Sequence, residues 1–253
     1  MYNIAHINTT AMHATQNRID VISNNMVNAQ TTGYKKLEIG FADLYTETLN
    51  KRYYPTIDKS SDFGTGIRTT EAVRRYDQGG LKNTGVNTNI AIEGEGFFRV
   101  ITTSGEIAYT RNGEFKLDAL GRIVDDRGNF LDIELNNNLN VQELNLSNGD
   151  LTISKVGEVY FNGEQIGEIN LYKPQGSTDL ISSGDSLFTT KEDGVMEVSN
   201  NYKVHQGYLE MSNVRMEQEM TNLILAQRAF QFNAKGIQAA DEMWGMINNL
   251  QGK

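Results

Sequence analysis

The sequence predicts an α+β protein in which N- and C-terminal helices pair as a coiled-coil-like stalk around an inserted antiparallel β domain, a barrel or sandwich of short strands. Two observations support this prediction. Large apolar residues recur at every seventh position at both ends of the 253-residue chain, which is the spacing of a coiled coil. Between the ends the apolar period changes to two and Asn-Gly pairs interrupt it, which is typical of antiparallel hairpins.

The N-terminal helix is predicted from a thin apolar stripe. This stripe consists of Met12, Ile19, Ile22 and Met26. A stripe this narrow is marginal in an isolated helix, so the helix needs a partner to cover it. Gly33 is suited to the left-handed position that follows a helix. We therefore assign residues 1–33 to an N-terminal assembly helix.

The C-terminal helix is predicted more strongly, from a repeat held over five intervals of seven residues. Its members are Leu209, Met216, Leu223, Phe230, Ile237 and Trp244. A repeat of this length indicates a coiled-coil seam. A long helix packed on its own domain would give the same pattern and stays as the alternative. Residues 206–253 are assigned to a C-terminal assembly helix.

The middle of the chain is predicted to be one antiparallel β domain over residues 86–205. Residues 97–102 and 107–111 alternate as two strands joined by a turn, and Asn112-Gly113 leads into a third strand at 114–118. Asn-Gly between alternating runs indicates a hairpin. The pairs Asn148-Gly149 and Asn162-Gly163 repeat this signal.

Residues 34–85 fit neither period. They contain Tyr53-Tyr54-Pro55 and the glycine-containing segment 60–66. A long stretch without periodicity in a compact protein is typically functional or an arm. We therefore expect an extended connection that becomes ordered against neighbouring molecules.

Composition excludes several classes of function. The chain has 23 Lys and Arg against 32 Asp and Glu, a net charge of −9, which disfavours a partner made of nucleic acid. The absence of cysteine excludes disulfides, thiolate metal sites and a cysteine nucleophile. No apolar run reaches the roughly 18–20 residues of a membrane-spanning helix, so no membrane insertion is expected. The first ten residues have neither a basic start nor an apolar segment, so no cleaved signal peptide is expected.

The sequence offers little for catalysis, and we expect no catalytic, cofactor-binding or metal-binding residues. His6, His13 and His205 lack the spacing of metal ligands. Residues 125–129 have some likeness to a calcium loop, but the acids are out of register and a hairpin turn is the better interpretation. An enzyme, such as a cell-wall hydrolase, is therefore the least favoured class.

Four segments carry a resemblance to a known family. They are residues 22–35 (ISNNMVNAQTTGYK), 94–115 with GEGFFRV and YTRNGEF at its two ends, 206–214 (QGYLEMSNV) and 219–240, which includes QRAF. In this order they resemble the bacterial flagellar rod and hook axial proteins. Ser23 and Val27 stand where that family usually has alanine.

The resemblance implies a non-enzymatic subunit without a cofactor that polymerises helically into a hollow shaft transmitting torque from motor to hook. The implied partners are further copies, other rod proteins, hook or hook-junction subunits and the flagellar type III export apparatus. The implied location is the flagellar basal body in the cell envelope, reached without a cleaved signal peptide. The chain is too short for the hook protein. Residues 209–214 and 227–230 resemble the distal-rod members most, with the proximal-rod paralogues as the alternative.

Assembly contacts are expected at the helical seams and at the asparagines near the end of the first helix. The set is Met12, Ile19, Ile22, Asn24, Asn25, Met26, Asn28, Leu209, Met216, Leu223, Phe230, Ile237 and Trp244. The asparagines either set the register between helices or end the first helix. Tyr34 and Lys35 either dock on a neighbouring subunit or lie in an exposed loop. A coiled-coil-stalked β module that binds a ligand is the alternative from another functional class.

Overall fold

The structure is a computed structural model that describes residues 2–44, 46–48, 62–64, 66–135, 149–176, 180–184, 186–191, 194–199 and 201–251. The chain forms two compact units. The first comprises Met1–Val27, Leu37–Val73 and Arg215–Lys253, and the second comprises Asn28–Lys36 and Arg74–Val214. Both units are therefore built from segments that are distant in sequence.

The first unit contains the two long helices, α1 (Tyr2–Val27) and α2 (Met216–Gln251). They pack against each other, so the prediction of a helix at each end is confirmed. Coiled-coil geometry stays a prediction. The C-terminal helix begins ten residues later than position 206, and Leu209 is not part of it. The seven-residue spacing from Leu209 to Met216 misled because it spans a strand and a turn.

Five short strands belong wholly to the first unit. They are β1 (Leu37–Glu38), β2 (Phe41–Asp43), β3 (Thr46–Thr48), β4 (Asp62–Gly64) and β5 (Ile67–Thr69). β2 pairs with β5 and β3 with β4, both antiparallel. The segment expected to be a plain extended connection thus forms its own ladders. Its Tyr-Tyr-Pro stretch lies outside the described residues.

The remaining strands follow after residue 72. They are β6 (Val73–Arg74), β7 (Leu81–Asn83), β8 (Ile90–Gly94), β9 (Phe97–Ile101), β10 (Ile107–Thr110), β11 (Lys116–Leu117), β12 (Ile123–Val124), β13 (Phe130–Leu131), β14 (Glu134–Leu135), β15 (Leu151–Ile153), β16 (Glu158–Phe161), β17 (Glu164–Glu168), β18 (Leu171–Pro174), β19 (Leu180–Gly184), β20 (Leu187–Thr190), β21 (Met196–Val198), β22 (Tyr202–Gln206) and β23 (Tyr208–Glu210). A 3-10 turn at Asn28–Gln30 precedes them in the second unit.

These strands make one large sheet and several smaller ones. The nine-stranded sheet runs β11-β12-β13-β9-β10-β20-β19, and β18 joins it by pairing with β9 and β21. A four-stranded sheet runs β14-β17-β16-β15, while β22 pairs with β8 and β23 with β7. Among the described residues of this unit, these strand pairs are antiparallel, which agrees with the predicted antiparallel domain.

Two apolar clusters hold the second unit together. The main core contains the side chains Ile90, Ile92, Phe98, Val100, Ala108, Phe115, Ile123, Leu131, Ile133, Leu151, Ile153, Val159, Ile169, Leu171 and Val204. A second cluster is aromatic and consists of Phe97, Tyr109, Tyr172 and Phe188. Phe97 and Phe98 are neighbours on β9 and point to opposite faces, so this strand contributes to both clusters.

One five-residue loop recurs four times in the hairpins of this unit. The loops are Thr102–Glu106, Asp118–Arg122, Asp125–Asn129 and Ser154–Glu158, each with glycine in the fourth position. In each, the first residue donates its N–H to the fifth carbonyl and the glycine donates to the first carbonyl. The four glycines have φ between 76° and 100°, a range that favours glycine. The interpretation of residues 125–129 as a hairpin turn agrees with this arrangement.

The Asn-Gly signals had different outcomes. Asn162-Gly163 joins β16 to β17 with φ values of 52° and 86°, as a two-residue hairpin turn requires. Asn112-Gly113 does not form a hairpin, because β10 pairs with β9 and β20 instead of β11. An added Cβ on Gly113 would lie 1.6 Å from the carbonyl oxygen of Ile90. This glycine is required by the close approach of two backbones. Asn148 lies outside the described residues.

We expect the buried tyrosines to make the second unit lose stability in alkaline solution. Burial raises the pKa of Tyr109 and of Tyr172, so above a pH of about 10 the folded chain keeps protons that the unfolded chain releases. The free energy of unfolding therefore falls as the pH rises through this range.

The measurement is urea unfolding between pH 9 and 11.5 for the wild type and for the double variant Tyr109→Phe, Tyr172→Phe. The variant should show a shallower fall with pH. Burial lowers the pKa of Lys35, which acts in the opposite direction, but both proteins retain this lysine. Equal slopes for the two proteins would contradict the prediction.

Candidate assembly surfaces

The contact between α1 and α2 is made mainly by small and polar side chains. The buried residues are Ala14, Thr15, Ile22 and Asn25 on α1 and Glu219, Ala226 and Ala240 on α2. An added Cβ on Gly236 would lie 2.7 Å from Nδ2 of Asn8. Because Asn8 faces Gly236 while Asn25 faces Glu219, the helices run antiparallel. Most of these buried residues are small or polar, which allows a close approach.

The large apolar residues that define the sequence repeat flank the seam. Those on α1 are Met12, Ile19 and Met26, and those on α2 are Met216, Leu223, Phe230, Ile237 and Trp244; all are half-buried. Of the predicted stripe on α1, Ile22 is fully buried. Leu209 is also buried, but on β23 in the second unit. The seven-residue repeat on α2 therefore runs beside the seam with α1, and the role of its residues in assembly stays a prediction.

The three asparagines at the end of α1 have different environments. Asn25 is buried, donates through Nδ2 to the Leu37 carbonyl over 2.8 Å and accepts at Oδ1 from the Leu37 N–H over 2.9 Å. The same Nδ2 lies 3.4 Å from Oε2 of Glu219 on α2. Asn24 is exposed. The Asn28 Oδ1 accepts from the Thr31 hydroxyl over 3.3 Å, beyond the helix end.

A second apolar row lies on a solvent-exposed side of α2, away from the seam. Its members are Leu225, Phe232, Ala239 and Met246, spaced by seven residues. Phe232 is 77% exposed, and Leu225 and Met246 are each 59% exposed. A helix that is apolar on two faces is typical of a helix buried on both sides. Within the described chain only one of these faces is covered, by α1.

The second unit contains a buried ionic cluster of Lys35, Arg111 and Glu210, referred to below as the ionic cluster. Nζ of Lys35 lies 2.7 Å from Oε1 of Glu210, and Nη1 of Arg111 lies 3.1 Å from Oε2. The Gly79 N–H also donates to Oε1 over 2.9 Å. Burial lowers the pKa of Lys35 and of Arg111, and the nearby Glu210 carboxylate partly opposes this shift. One carboxylate therefore serves two buried cations.

Backbone contacts extend the ionic cluster. Lys35 Nζ also donates to the Asp77 carbonyl over 2.9 Å, and Arg111 Nη2 donates to the Gly94 carbonyl over 2.7 Å. The Gly33 N–H donates to the Glu210 carbonyl over 2.8 Å. Gly33 has φ +66°, and an added Cβ would lie 2.4 Å from the Asn112 nitrogen. Three distant signature segments, 22–35, 94–115 and 206–214, thus meet at one place.

Asn213 completes this junction. Its Oδ1 accepts from the Lys36 N–H over 2.7 Å, while its Nδ2 donates to the carbonyls of Arg75 and Asp77 over 2.8 and 3.0 Å. Tyr34 and Lys35 are buried within the chain, so neither the expected docking on a neighbouring subunit nor the exposed loop agrees with the structure. Sequence reasoning missed the role of Lys35, Arg111 and Glu210, although all three lie inside the quoted segments. The sequence could have indicated this cluster, because each of these three segments contains one of its charged residues.

The structure gives no positive indication of a metal site or a membrane span. Among the described residues, no group of three or more His, Asp or Glu side chains is placed to hold a metal ion. Neither long helix, over its described length, combines the length and apolar character needed to cross a membrane.

Three family models match the chain. "Flagella basal body rod protein" matches residues 3–35, "Flagellar hook protein FlgE/F/G D1 domain" residues 91–161 and "Flagellar basal body rod FlgEFG protein C-terminal" residues 205–250. The flagellar basal-body rod protein FlgG of Borreliella burgdorferi is 32% identical over 96% of both chains. The chain belongs to the flagellar basal-body rod protein family.

Other proteins similar to this chain are also flagellar basal-body rod proteins. The rod protein FlgG of Buchnera aphidicola from Acyrthosiphon pisum is 32% identical over 96% of this chain and 98% of its own length. The rod protein FlgF of Caulobacter vibrioides is 30% identical over 93% of this chain and 92% of its own length. Membership of this family supports a location of the chain in the flagellar basal body. The ionic cluster and the helix pair therefore belong to a rod protein.

Removing the carboxylate of the ionic cluster should destabilise the second unit strongly. In Glu210→Gln the cations of Lys35 and Arg111 stay buried without their counter-charge, and we expect a loss of about 3–5 kcal/mol in the free energy of unfolding. Chemical denaturation measures this loss.

The matched control is Asp126→Asn, which breaks the ion pair with Lys116 in which both side chains are more than half exposed. Such pairs contribute little to stability, so this variant should unfold almost like the wild type. An equal loss in the free energy of unfolding for the two variants would show that the ionic cluster does not hold together the segments of Lys35, Arg111 and Glu210.

Gly33→Ala should destabilise the chain more than Gly163→Ala. Both glycines have positive φ, but no atom lies within 4 Å of a Cβ added at Gly163. Each variant incurs the left-handed penalty of about 1–2 kcal/mol, and Gly33→Ala adds the clash with Asn112, about 1–3 kcal/mol more. Thermal unfolding of the two variants compares these losses. Equal midpoints would mean that the backbones at Gly33 and Asn112 do not need to be this close.

Proposed function

We propose that this chain is a structural subunit of the bacterial flagellar basal-body rod that polymerises helically into the hollow shaft between motor and hook. Family membership supports the rod assignment. The distal position is supported by the relatives named FlgG and by the resemblance at residues 209–214 and 227–230. The relative named FlgF keeps the proximal rod as the alternative.

The observation that carries this proposal is the exposed row on α2. Leu225, Phe232 and Met246 lie away from the seam with α1 and are more than half exposed. A heptad-spaced apolar row is complementary to another helix. In a polymer, helices of neighbouring subunits would bury this row and the half-covered residues flanking the seam, among them Leu223 and Phe230. Contacts of this kind that do not close into a ring produce filaments.

The remaining parts of the proposal follow from the assembly role. The chain would act without catalysis or a cofactor, because torque is transmitted through many parallel contacts. It would leave the cell through the flagellar type III apparatus without a cleaved signal peptide. Its neighbours would be further copies, other rod proteins and hook or hook-junction subunits. Terminal helices held together by a thin seam would be only marginally stable before assembly, which would keep the subunit threadable during export.

Phe232→Asp should abolish polymerisation without destabilising the subunit. The side chain is 77% exposed, so the free energy of unfolding should change by no more than about 0.5 kcal/mol. In the polymer an unpaired carboxylate would be buried at a cost of several kcal/mol. Sedimentation of the purified chain against concentration, together with motility of cells carrying the variant, measures the effect.

Two further variants make this test specific. Val156→Asp places the same charge at a 62% exposed site in the second unit and should assemble normally. Phe230→Asp changes a half-buried residue beside the seam, so both subunit stability and assembly should fall. Normal polymerisation and motility of Phe232→Asp would contradict the proposed role of α2.

A further inference from the structure

The chain contains methionine as its only sulfur-bearing residue type. It has nine methionines and no cysteine, so reversible oxidation of sulfur in this protein can occur only at thioethers. Among the methionines whose side chains the structure describes, Met220 and Met246 are exposed, by 50% and 59%, while the others are half-buried. Both exposed methionines lie on α2.

These two methionines differ in their position around the helix. Met246 belongs to the exposed row and lies within about 60° of Leu225 at 100° per residue. Met220 lies about 140° from Leu225 by the same measure and is outside the row. The chain therefore contains two methionines of similar exposure on one helix, of which only Met246 belongs to the exposed row.

We propose that Met246 is an oxidation site through which peroxide lowers the capacity of the chain to assemble. This inference rests on the proposed function. A lone pair of the Met246 sulfur attacks one oxygen of hydrogen peroxide, so an S–O bond forms while the O–O bond breaks. The departing hydroxide takes the proton from the transferred oxygen and leaves as water. Sulfur is oxidised by two electrons and peroxide is reduced by two electrons. The product, a sulfoxide, places a polar group in the apolar row.

The site acts before assembly. Its exposure in the single chain gives peroxide access to the sulfur, whereas a helix packed on the row would cover it. Oxidation therefore reduces the supply of competent subunits and leaves existing polymers intact. A reductase specific for methionine sulfoxide would restore the row.

The test compares full-length wild type, Met246→Leu and Met220→Leu before and after treatment with hydrogen peroxide. For each protein, the concentration needed for assembly after treatment is compared with the concentration needed by the same protein without treatment. Peptide mass spectrometry measures the sulfoxide at each methionine, and sedimentation measures the concentration needed for assembly. This concentration should rise about tenfold for wild type and Met220→Leu, and less than about twofold for Met246→Leu. Tenfold corresponds to about 1.4 kcal/mol, which is of the order of the burial of one apolar side chain. Without peroxide, Met246→Gln should weaken assembly by a similar factor because it places a polar group in the row.

The outcomes separate this inference from the proposed function. If wild type with fully oxidised Met246 assembles normally, the inference is wrong while the rod assignment stands. If Met246→Leu loses assembly on oxidation as strongly as wild type, another methionine is responsible and the inference is also wrong. If the untreated wild type does not assemble at any concentration, the proposed function fails and the inference fails with it.

Discussion

A single buried carboxylate joins the segments on which the second unit depends. Glu210 binds Lys35 and Arg111 and also accepts from the N–H of Gly79. The desolvation cost of these charges is offset only when all partners are present. The segment that follows α1 contains Lys35, and the segment that precedes α2 contains Glu210 itself. The carboxylate therefore joins the segments through which the chain enters and leaves the β body. The integrity of the body therefore depends on an interaction between segments up to 175 residues apart.

This arrangement separates two tasks within one chain. Three of the four signature segments contribute to holding the body together, since Gly33, Arg111 and Glu210 contact one another or each other's neighbours. In the proposed rod assembly, the helices would offer the surfaces for other molecules. Their mutual seam uses small residues, so the large apolar residues stay partly available. A subunit organised in this way can form a defined body while keeping apolar helical surfaces for its neighbours.

Sequence patterns predicted the features that are determined by residues close together in the sequence. The helices at both ends, the strand at residues 97–101 and the Asn162-Gly163 turn were all predictable, because periodicity and turn chemistry act over a few residues. The helix start at Met216, the failure of Asn112-Gly113 to make a hairpin and the burial of Lys35 were not. Each depends on partners far away in sequence, such as Ile90 beside Gly113 and Glu210 beside Lys35. No single-segment pattern reports such partners.

The recurring glycine loop has a consequence for the order of folding. Each copy closes a hairpin within five residues, and such hairpins form in about 1–10 μs. The pairings of β9 with β18 and of β8 with β22 join residues more than 70 positions apart, and closing such long loops slows folding. The hairpins should therefore form first, and the long-range strand pairings should form only when the C-terminal part of the body is present. A chain emerging N-terminus first would complete its core only after residue 210 is free.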